Sequence, residues 1–197
     1  MLSRKPLLSL RASRRQMRGV SLIEVLISIL LSAIGLLALA GANVASIRYS
    51  KMSQYRGTAT LLASDMAERM RANKAGLASY AYGSSFSVQA TAATAVTTCD
   101  TYSSTCTTPA DMAAYDLANW RLLVRSQLPE GSVFIRVPAA TLSAPATADL
   151  WIAWRDPAVA TPSENSADAR NNANECPNAL SVGGDLSIRC SYFRINL

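Results

Sequence analysis

The sequence predicts an α+β fold in which one long N-terminal helix packs on a small antiparallel sheet head with one extra helix. Three observations lead to this prediction. A charge-free apolar run from Val25 to Ile47 continues, without a proline, into an amphipathic pattern that ends near Gly76. A second amphipathic stretch then begins at Pro109, and three short stretches with strand-like alternation follow it.

Composition and hydropathy divide the chain into four segments. Residues 1–19 form a basic leader, and residues 20–47 form a helix of membrane length. Residues 48–76 continue that helix in amphipathic form, and residues 77–197 form a globular head. The chain is long enough for one modest domain with appendages.

The leader carries the whole net charge of the chain, which is +6 from 19 basic and 13 acidic side chains. Six basic residues and no acidic one precede Val20, and they are Arg4, Lys5, Arg11, Arg14, Arg15 and Arg18. The rest of the chain is neutral, so its basicity indicates membrane topology and not a nucleic-acid-binding face. We therefore expect a cytoplasmic N-terminus, a location in the inner membrane and no nucleic-acid partner.

The apolar run is long enough to cross a bilayer. A helix from Val25 to Ile47 would span about 35 Å. Glu24, directly before the run, carries the only charge between Val20 and Ile47. A charged side chain at bilayer depth costs about 2.5–3.5 kcal/mol on insertion scales, so Glu24 requires a functional explanation. A carboxylate in the first turns of a helix is favoured by the macrodipole, and a neighbouring positive charge would offset more of this cost.

Two ordinary interpretations of the N-terminus compete. The first is a secretory signal peptide, because a basic segment and an apolar stretch precede the small-residue pattern Ala38-Leu39-Ala40. The apolar stretch is longer than usual for such a signal, and Glu24 interrupts its start. The second is a plain signal anchor, which explains length and orientation but gives Gly19 and Glu24 no purpose.

The stretch RGVSLIEVLISILLSAIGLLALAG, residues 18–41, resembles the class III signal of type IV prepilins and pseudopilins. The resemblance implies the type IV pilin fold and cleavage by a prepilin peptidase between Gly19 and Val20, on the cytoplasmic side. It also implies N-methylation of Val20, where most members of the family have Phe. Glu24 would then pair with the Val20 amine of its own or a neighbouring chain and set the register between subunits. The alternative is a carboxylate merely tolerated near the membrane interface.

The amphipathic continuation has one apolar stripe at steps of three or four residues, formed by Met52, Tyr55, Ala59, Leu62, Met66 and Met70. Asp65 with Arg69, and Glu68 with Arg71, are spaced for ion pairs on a helix surface. Gly76 is predicted to end the helix. Residues 56–76 (RGTATLLASDMAERMRANKAG) and residues 116–131 (DLANWRLLVRSQLPEG) resemble the minor pilins called PilV.

The head is predicted from local signals. A long connecting loop covers residues 77–108, and Thr108 with Pro109 starts a helix. The apolar positions of that helix are Leu117, Trp120, Leu123, Val124 and Leu128, and Pro129 to Gly131 end it.

The three strands carry Val133, Ile135 and Val137; then Leu150, Ile152 and Trp154; then Leu186, Ile188 and Cys190. Residues 156–184 form an exposed insertion. Trp120, Trp151 and Trp154 are predicted to pack in the core or to be half-buried, with a carbohydrate-binding or adhesive surface as the alternative.

The four cysteines all follow the apolar run, which indicates an oxidising compartment and two disulfides. Three pairings are open. Proximity along the chain favours Cys99 with Cys106 and Cys176 with Cys190. The alternative is a set of buried free thiols.

No catalytic motif, cofactor motif or metal-ligand spacing is present, and the chain has no histidine. Gly183-Gly184-Asp185 is predicted to form a turn, and Asp149 and Asp156 to be surface groups. We expect no enzymatic activity, no metal and no cofactor.

The family resemblance implies a minor pilin that primes type IV pilus assembly and so supports twitching motility and adhesion. Its partners would be prepilin peptidase, other minor pilins, the major pilin, the inner membrane and, as a further candidate, a tip adhesin. The head would be periplasmic and later lie on the pilus at the cell surface. The alternatives are a minor pseudopilin of a type II secretion system and, from another class, a secreted binding or enzymatic domain cut after Ala40.

Overall fold

A computed structural model describes residues 21–89, 99, 106–139, 146–156, 175–182, 185 and 187–197. The chain divides into two units, residues 1–44 and residues 45–197. The helices are α1 (Leu22–Ala72), α2 (Phe86–Gln89) and α3 (Pro109–Gln127), with short 3-10 helices at Lys74–Tyr80 and Asn178–Leu180. The strands are β1 (Ser132–Arg136), β2 (Thr147–Arg155) and β3 (Ile188–Asn196). The predicted α+β class is confirmed.

The three strands form one antiparallel sheet in the order β1-β2-β3. The register places Leu150 of β2 between Ile135 of β1 and Phe193 of β3. Strand β3 extends six residues beyond the predicted stretch that ended at Cys190. Leu186, which was predicted to begin this strand, lies outside the described residues.

The stripe on α1 packs on one face of the sheet. Ala59, Leu62, Met66 and Met70 are buried, while Tyr55 is half-buried against the same cluster. This cluster, which we call the main core, also contains side chains from α3 and from all three strands, among them Trp120, Val133, Leu150, Trp154 and Ile195. The predicted packing of this helix on the sheet is confirmed, and Trp120 and Trp154 are fully buried, as expected.

Helix α3 begins as the sequence predicts. The Thr108 side chain accepts from the Asp111 amide, and the Asp111 carboxylate accepts from the Thr108 amide, which completes a capping box. Trp120 Nε1 donates to the carbonyl of Leu62 at 2.9 Å and so joins α3 to α1. Leu123, predicted to be apolar core, is 38% exposed instead. Leu123 therefore lies at the edge of the buried face of α3, which is formed by Ala113, Leu117, Trp120 and Val124.

The second face of the sheet is covered over part of its area, which the simple alternation did not predict. A second cluster contains Phe86 of α2, Ala153, Leu180 and the disulfide between Cys176 and Cys190. The two α-carbons of this disulfide are 5.2 Å apart. At the Arg136 end of the sheet, this face instead carries the polar side chains of Arg136, Asp149 and Tyr192. Trp151, on this face, is only half-buried.

The prediction that Asp149 and Asp156 are surface groups is wrong. Asp149 is 4% exposed and Asp156 is 1% exposed. Arg136 Nη2 donates to Asp149 Oδ2 at 2.6 Å, and the Tyr192 hydroxyl donates to Asp149 Oδ1 at 2.7 Å. Asp156 lies 3.8 Å from the buried Arg189. Cross-strand pairing supplies the partners that allow these carboxylates to be buried, and such pairing is not visible in local sequence.

The predicted glycine stop after α1 is also wrong. Helix α1 ends at Ala72, and Gly76 lies buried inside the following 3-10 helix. A Cβ on Gly76 would collide with the backbone carbonyl of Pro109. Asn73 accepts from the Gly76 amide at 3.3 Å and donates to the Pro109 carbonyl at 2.8 Å. Gly76 is therefore required for close approach to the start of α3.

A polar network joins the end of α1 to α3. The predicted pair Asp65–Arg69 is present at 3.1 Å, and Arg69 also bonds Asp116 at 3.1 Å. The Tyr80 hydroxyl donates to Asp116 at 2.7 Å. Burial and this hydrogen bond raise the pKa of Tyr80 to about 12, so it remains a neutral donor. The other predicted pair, Glu68–Arg71, is present at 2.5 Å.

The stretch predicted as a long loop at 77–108 contains local structure. Tyr82 exchanges two backbone hydrogen bonds with Ile135, at 2.9 and 2.8 Å, and Phe86–Gln89 forms α2. The structure pairs Cys99 with Cys106, with α-carbons 5.4 Å apart. Residues 90–98 and 100–105 of this loop lie outside the described residues, as do most of the insertion at 156–184 and the turn at Gly183-Gly184.

We predict that Gly76→Ala lowers the free energy of unfolding by about 1–3 kcal/mol, because an added Cβ must displace backbone atoms. Gly57→Ala is the matched control, since its Cβ would meet nothing within 4 Å and alanine favours a helix by about 1 kcal/mol. Urea unfolding followed by tryptophan fluorescence measures both. Equal effects of the two substitutions would contradict the close-approach role of Gly76.

We predict that the stabilisation provided by Asp149 is lost in acid. Burial raises the pKa of this carboxyl, but hydrogen bonds from Arg136 and Tyr192 outweigh burial and hold the pKa below its ordinary value. The contribution is therefore complete above the ordinary aspartate value of about 3.9 and disappears as the pH falls through the folded-state value.

The difference in unfolding free energy between the wild type and Asp149→Asn should thus shrink as the pH falls from about 5 to about 2. Urea titrations at a series of pH values measure this difference. A gap that stays constant over this range would show that the charge of Asp149 contributes nothing.

Candidate functional site

The candidate site is the first half of α1 together with the residues before it. Gly19 and Val20, the predicted cleavage and methylation positions, lie outside the described residues. The Ser21 carbonyl accepts from the amides of Glu24 at 3.0 Å and Val25 at 3.3 Å. Helix α1 thus begins at Leu22, two residues later than predicted, and Glu24 lies in its first turn.

The side chains of this unit are exposed from Ser21 to Val44. They include large apolar residues such as Leu22, 85% exposed, and Leu37, 74% exposed. By length and composition, α1 is the one helix of the described residues that could cross a membrane. Water strongly disfavours such a surface, so it fits a membrane anchor or a contact with other helices.

Two serines in the apolar segment satisfy their own hydroxyl groups. Ser28 Oγ donates to the Glu24 carbonyl at 2.7 Å, and Ser32 Oγ donates to the Ser28 carbonyl at 2.8 Å. Such bonds to the carbonyl four residues earlier reduce the cost of placing a hydroxyl in an apolar environment. The Glu24 carboxylate has no hydrogen-bond or ion-pair partner in the part of the chain that the structure describes. Glu24 is therefore the group of this segment that requires a partner from elsewhere.

Glu24 stands at the end of a shallow groove along one side of α1, lined by Val25, Ser28, Ile29, Ser32, Ala33 and Leu36. The small side chains Ser28, Ser32 and Ala33 permit close approach of another helix on the same face as the carboxylate. The sequence analysis missed this face, although the i, i+4 and i+8 spacing from Glu24 could have revealed it.

Gly35 and Gly41, in the apolar segment, have open space around them. A Cβ on either glycine would meet nothing within 4 Å. Among the described residues no contact explains these two glycines, and small residues of this kind permit close approach of another helix.

Within the described residues, no cluster of three or more histidine, cysteine, aspartate or glutamate side chains could hold a metal ion. What the segment can do chemically is to insert into an apolar phase and to present one carboxylate at its N-terminal end.

Two family models match the chain. The model of the prokaryotic N-terminal methylation motif matches residues 14–40, which include Gly19, Val20 and Glu24. The model described as type IV pilin Tt1218, Tt1218-like, matches residues 43–118, from α1 to the middle of α3. Neither a search of curated proteins nor a search of solved structures found a match.

The methylation motif implies processing by a prepilin peptidase and assembly into a pilus. The apolar first half of α1 fits a membrane-anchored pilin. The long helix, followed along the chain by a further helix and a three-stranded antiparallel sheet, is consistent with the type IV pilin fold. The two matches and this architecture together support a type IV pilin.

Proposed function

We propose that this chain is a PilV-type minor pilin that takes part in the priming and assembly of type IV pili, and through them in twitching motility and adhesion. The observation that carries the proposal is Glu24, a carboxylate without a partner among the described residues, in the first turn of an exposed apolar helix inside the matched methylation motif. The resemblance of residues 56–76 and 116–131 to PilV proteins supports the minor-pilin subtype.

The proposed maturation begins with cleavage between Gly19 and Val20. This cut removes the basic leader and leaves α1 attached, so that the chain stays in the inner membrane with its head in the periplasm. Methylation then modifies the new amine of Val20. The chain is a substrate of prepilin peptidase and a structural protein, and we assign it no catalytic role.

The proposed role of Glu24 is to pair with a Val20 amine, preferably that of a neighbouring subunit. The cost of a charge at this depth falls when an opposite charge neutralises it, so correct register between adjacent helices is rewarded. The small side chains Ser28 and Ser32 on the Glu24 face allow the neighbouring helix to come close. The partners in this arrangement are other minor pilins and the major pilin, with a tip adhesin as a further candidate.

We predict that Gly19→Val blocks processing. The precursor should accumulate with its leader attached, and its mass should exceed that of the mature chain by the 19 leader residues. Intact mass measurement and N-terminal sequencing check this. In the wild type the same measurement should find N-methyl-Val20 as the first residue. A terminus at Gly41 would instead support the secreted domain cut after Ala40, and it would refute the pilin maturation.

We predict that Glu24→Ala leaves processing intact but reduces incorporation into sheared pili at least about tenfold. Removal of one partner of a buried ion pair costs about 3–5 kcal/mol, because the other charge is left uncompensated. Immunoblots of the membrane and pilus fractions measure the ratio. Glu24→Gln should behave like the alanine variant if the charge matters.

Glu175→Ala is the control, since Glu175 is an exposed carboxylate of the head that lies outside α1. Normal incorporation of both Glu24 variants would refute the register role.

Deletion of the chain separates a pilus from a secretion system. Loss of surface pili with type II secretion intact supports the minor pilin. Loss of secretion with normal piliation identifies a pseudopilin instead. The size of the head and its two cysteine pairs favour the pilus.

A further inference from the structure

The two edges of the sheet differ in how their backbone groups are satisfied. At the β1 edge, Tyr82 exchanges two backbone bonds with Ile135. The Gln89 side chain accepts from the Val133 amide at 3.0 Å and donates to the Val133 carbonyl at 2.8 Å. The outward-facing groups of Val133 and Ile135 are thus paired, and this edge is closed.

The β3 edge is open over its last residues. Leu197 N donates to the Ala146 carbonyl, and Asp156 N donates to the Ser187 carbonyl. In an antiparallel sheet, successive residues of a strand direct their backbone N–H and C=O groups alternately toward and away from the neighbouring strand. Since Ser187 and Leu197 bond toward β2, the even-numbered residues of β3 direct their backbone groups away from β2. Among the described residues, the outward amides of Tyr192 and Arg194 have no backbone partner.

The open part of the edge is accessible. Tyr192 is 49% exposed, and Arg194 and Asn196 are exposed, whereas Ile188 and Cys190 at the start of the strand are buried. Arg71 contacts the outward carbonyl of Asn196 at 3.4 Å. An exposed edge of this kind is a template for another strand unless a protein blocks it with a bulge, a proline or a cover.

A groove runs beside this edge on the side of α1. Its volume is about 210 Å³. On α1 it is lined by the small residues Thr60, Ala63, Ser64 and Ala67 and by the ion pair Glu68–Arg71, and on β3 by residues 193–195. Added strands bind through main-chain hydrogen bonds, and pockets for alternate side chains give specificity. The groove would take every second side chain of an added strand, and its volume favours small ones.

The sheet face opposite the groove carries a positive charge, which would select the side chains of the added strand that face away from the groove. Arg194 lies opposite Asp149 across the strands, but the carboxylate oxygens of Asp149 already accept from Arg136 and Tyr192. The exposed guanidinium groups of Arg136 and Arg194 therefore leave this rim positive. A carboxylate on the added strand is the complementary group.

We propose that the Tyr192–Asn196 edge of β3 binds an extended segment of a neighbouring pilin subunit by strand addition. In that segment small side chains face the α1 groove, and acidic side chains alternate with them and face Arg194. Residues of α1 line the groove, and the proposed function assigns this helix to contacts between pilin subunits. The identification of the partner as a pilin therefore rests on the proposed function.

The test is photo-crosslinking in intact piliated cells with benzoylphenylalanine at position 192, and with Ser126, an exposed residue of α3, as the control position. We expect a crosslink from position 192 to an extended segment of another pilin, identified by peptide mass spectrometry, and none from position 126. A crosslink only to a second copy of this chain, only to a non-pilin protein, or to no protein would overturn the inference. If the chain is still found in sheared pili in that case, the proposed function survives.

A pair of substitutions tests the backbone contact itself. Arg194→Ala and Arg194→Pro both remove the charge, but only proline removes the outward amide. Proline is tolerated where an edge amide faces away from its sheet, so the unfolding midpoint should change little between the two. The crosslink yield of the proline variant should be lower than that of the alanine variant by about fivefold, the effect of one hydrogen bond. Equal yields would exclude strand addition at this edge.

Discussion

Helix α1 carries apolar side chains along both of its halves, and each half must be removed from water in a different way. The rest of the structure depends on this constraint. From Ala59 to Met70, its apolar side chains are buried in the main core with α3 and the sheet. In the unit before Ala45, every described side chain is exposed. The second half of the helix is therefore stabilised by folding, whereas the first half can be stabilised only by a membrane or by other subunits.

The position of Glu24, the one carboxylate in the exposed half of α1, follows from this division. In the core half, the charge of Arg69 has partners within the fold, namely Asp65 of the same helix and Asp116 of α3. Glu24 lies in the first turn of the unburied half, where the helix macrodipole favours a negative charge and a cleaved N-terminus would supply a positive one. The proposed functions of this segment, insertion into an apolar phase and pairing with a neighbouring subunit, would thereby be combined in one short stretch of helix.

The two edge strands of the sheet differ in how many of their outward backbone groups are hydrogen-bonded. This difference fits a protein that assembles with other subunits. At β1, the chain uses Tyr82 and Gln89 to pair every outward group of Val133 and Ile135. At β3, the described residues leave the outward amides of Tyr192 and Arg194 open. A protein that closed one edge for protection alone would be expected to close the other as well. An open edge beside the subunit-packing helix is the simplest reason for the difference.

The sequence by itself determined the features that depend on local periodicity and local chemistry. The length of the apolar run, the stripe from Met52 to Met70, the Thr108 capping box and the ion pair Asp65–Arg69 follow from spacing along one helix. The motif around Gly19 and Glu24 belongs to the same group, because linear spacing is what a processing enzyme and a membrane recognise. These features led from the sequence to the pilin family and to the segment proposed for assembly.

Only the tertiary structure decided the features in which distant residues meet. Asp149 is buried because cross-strand register brings Arg136 and Tyr192 to it, and Gly76 is required because Pro109 comes back against it. The second sheet face is covered because α2 and the segment tied by Cys176 pack on it. Leu123 is exposed because no described element packs over that position of α3. The open edge of β3 likewise exists only once the sheet has formed. A sequence pattern records how a residue relates to its neighbours along the chain, whereas burial and pairing depend on what the rest of the fold places opposite it.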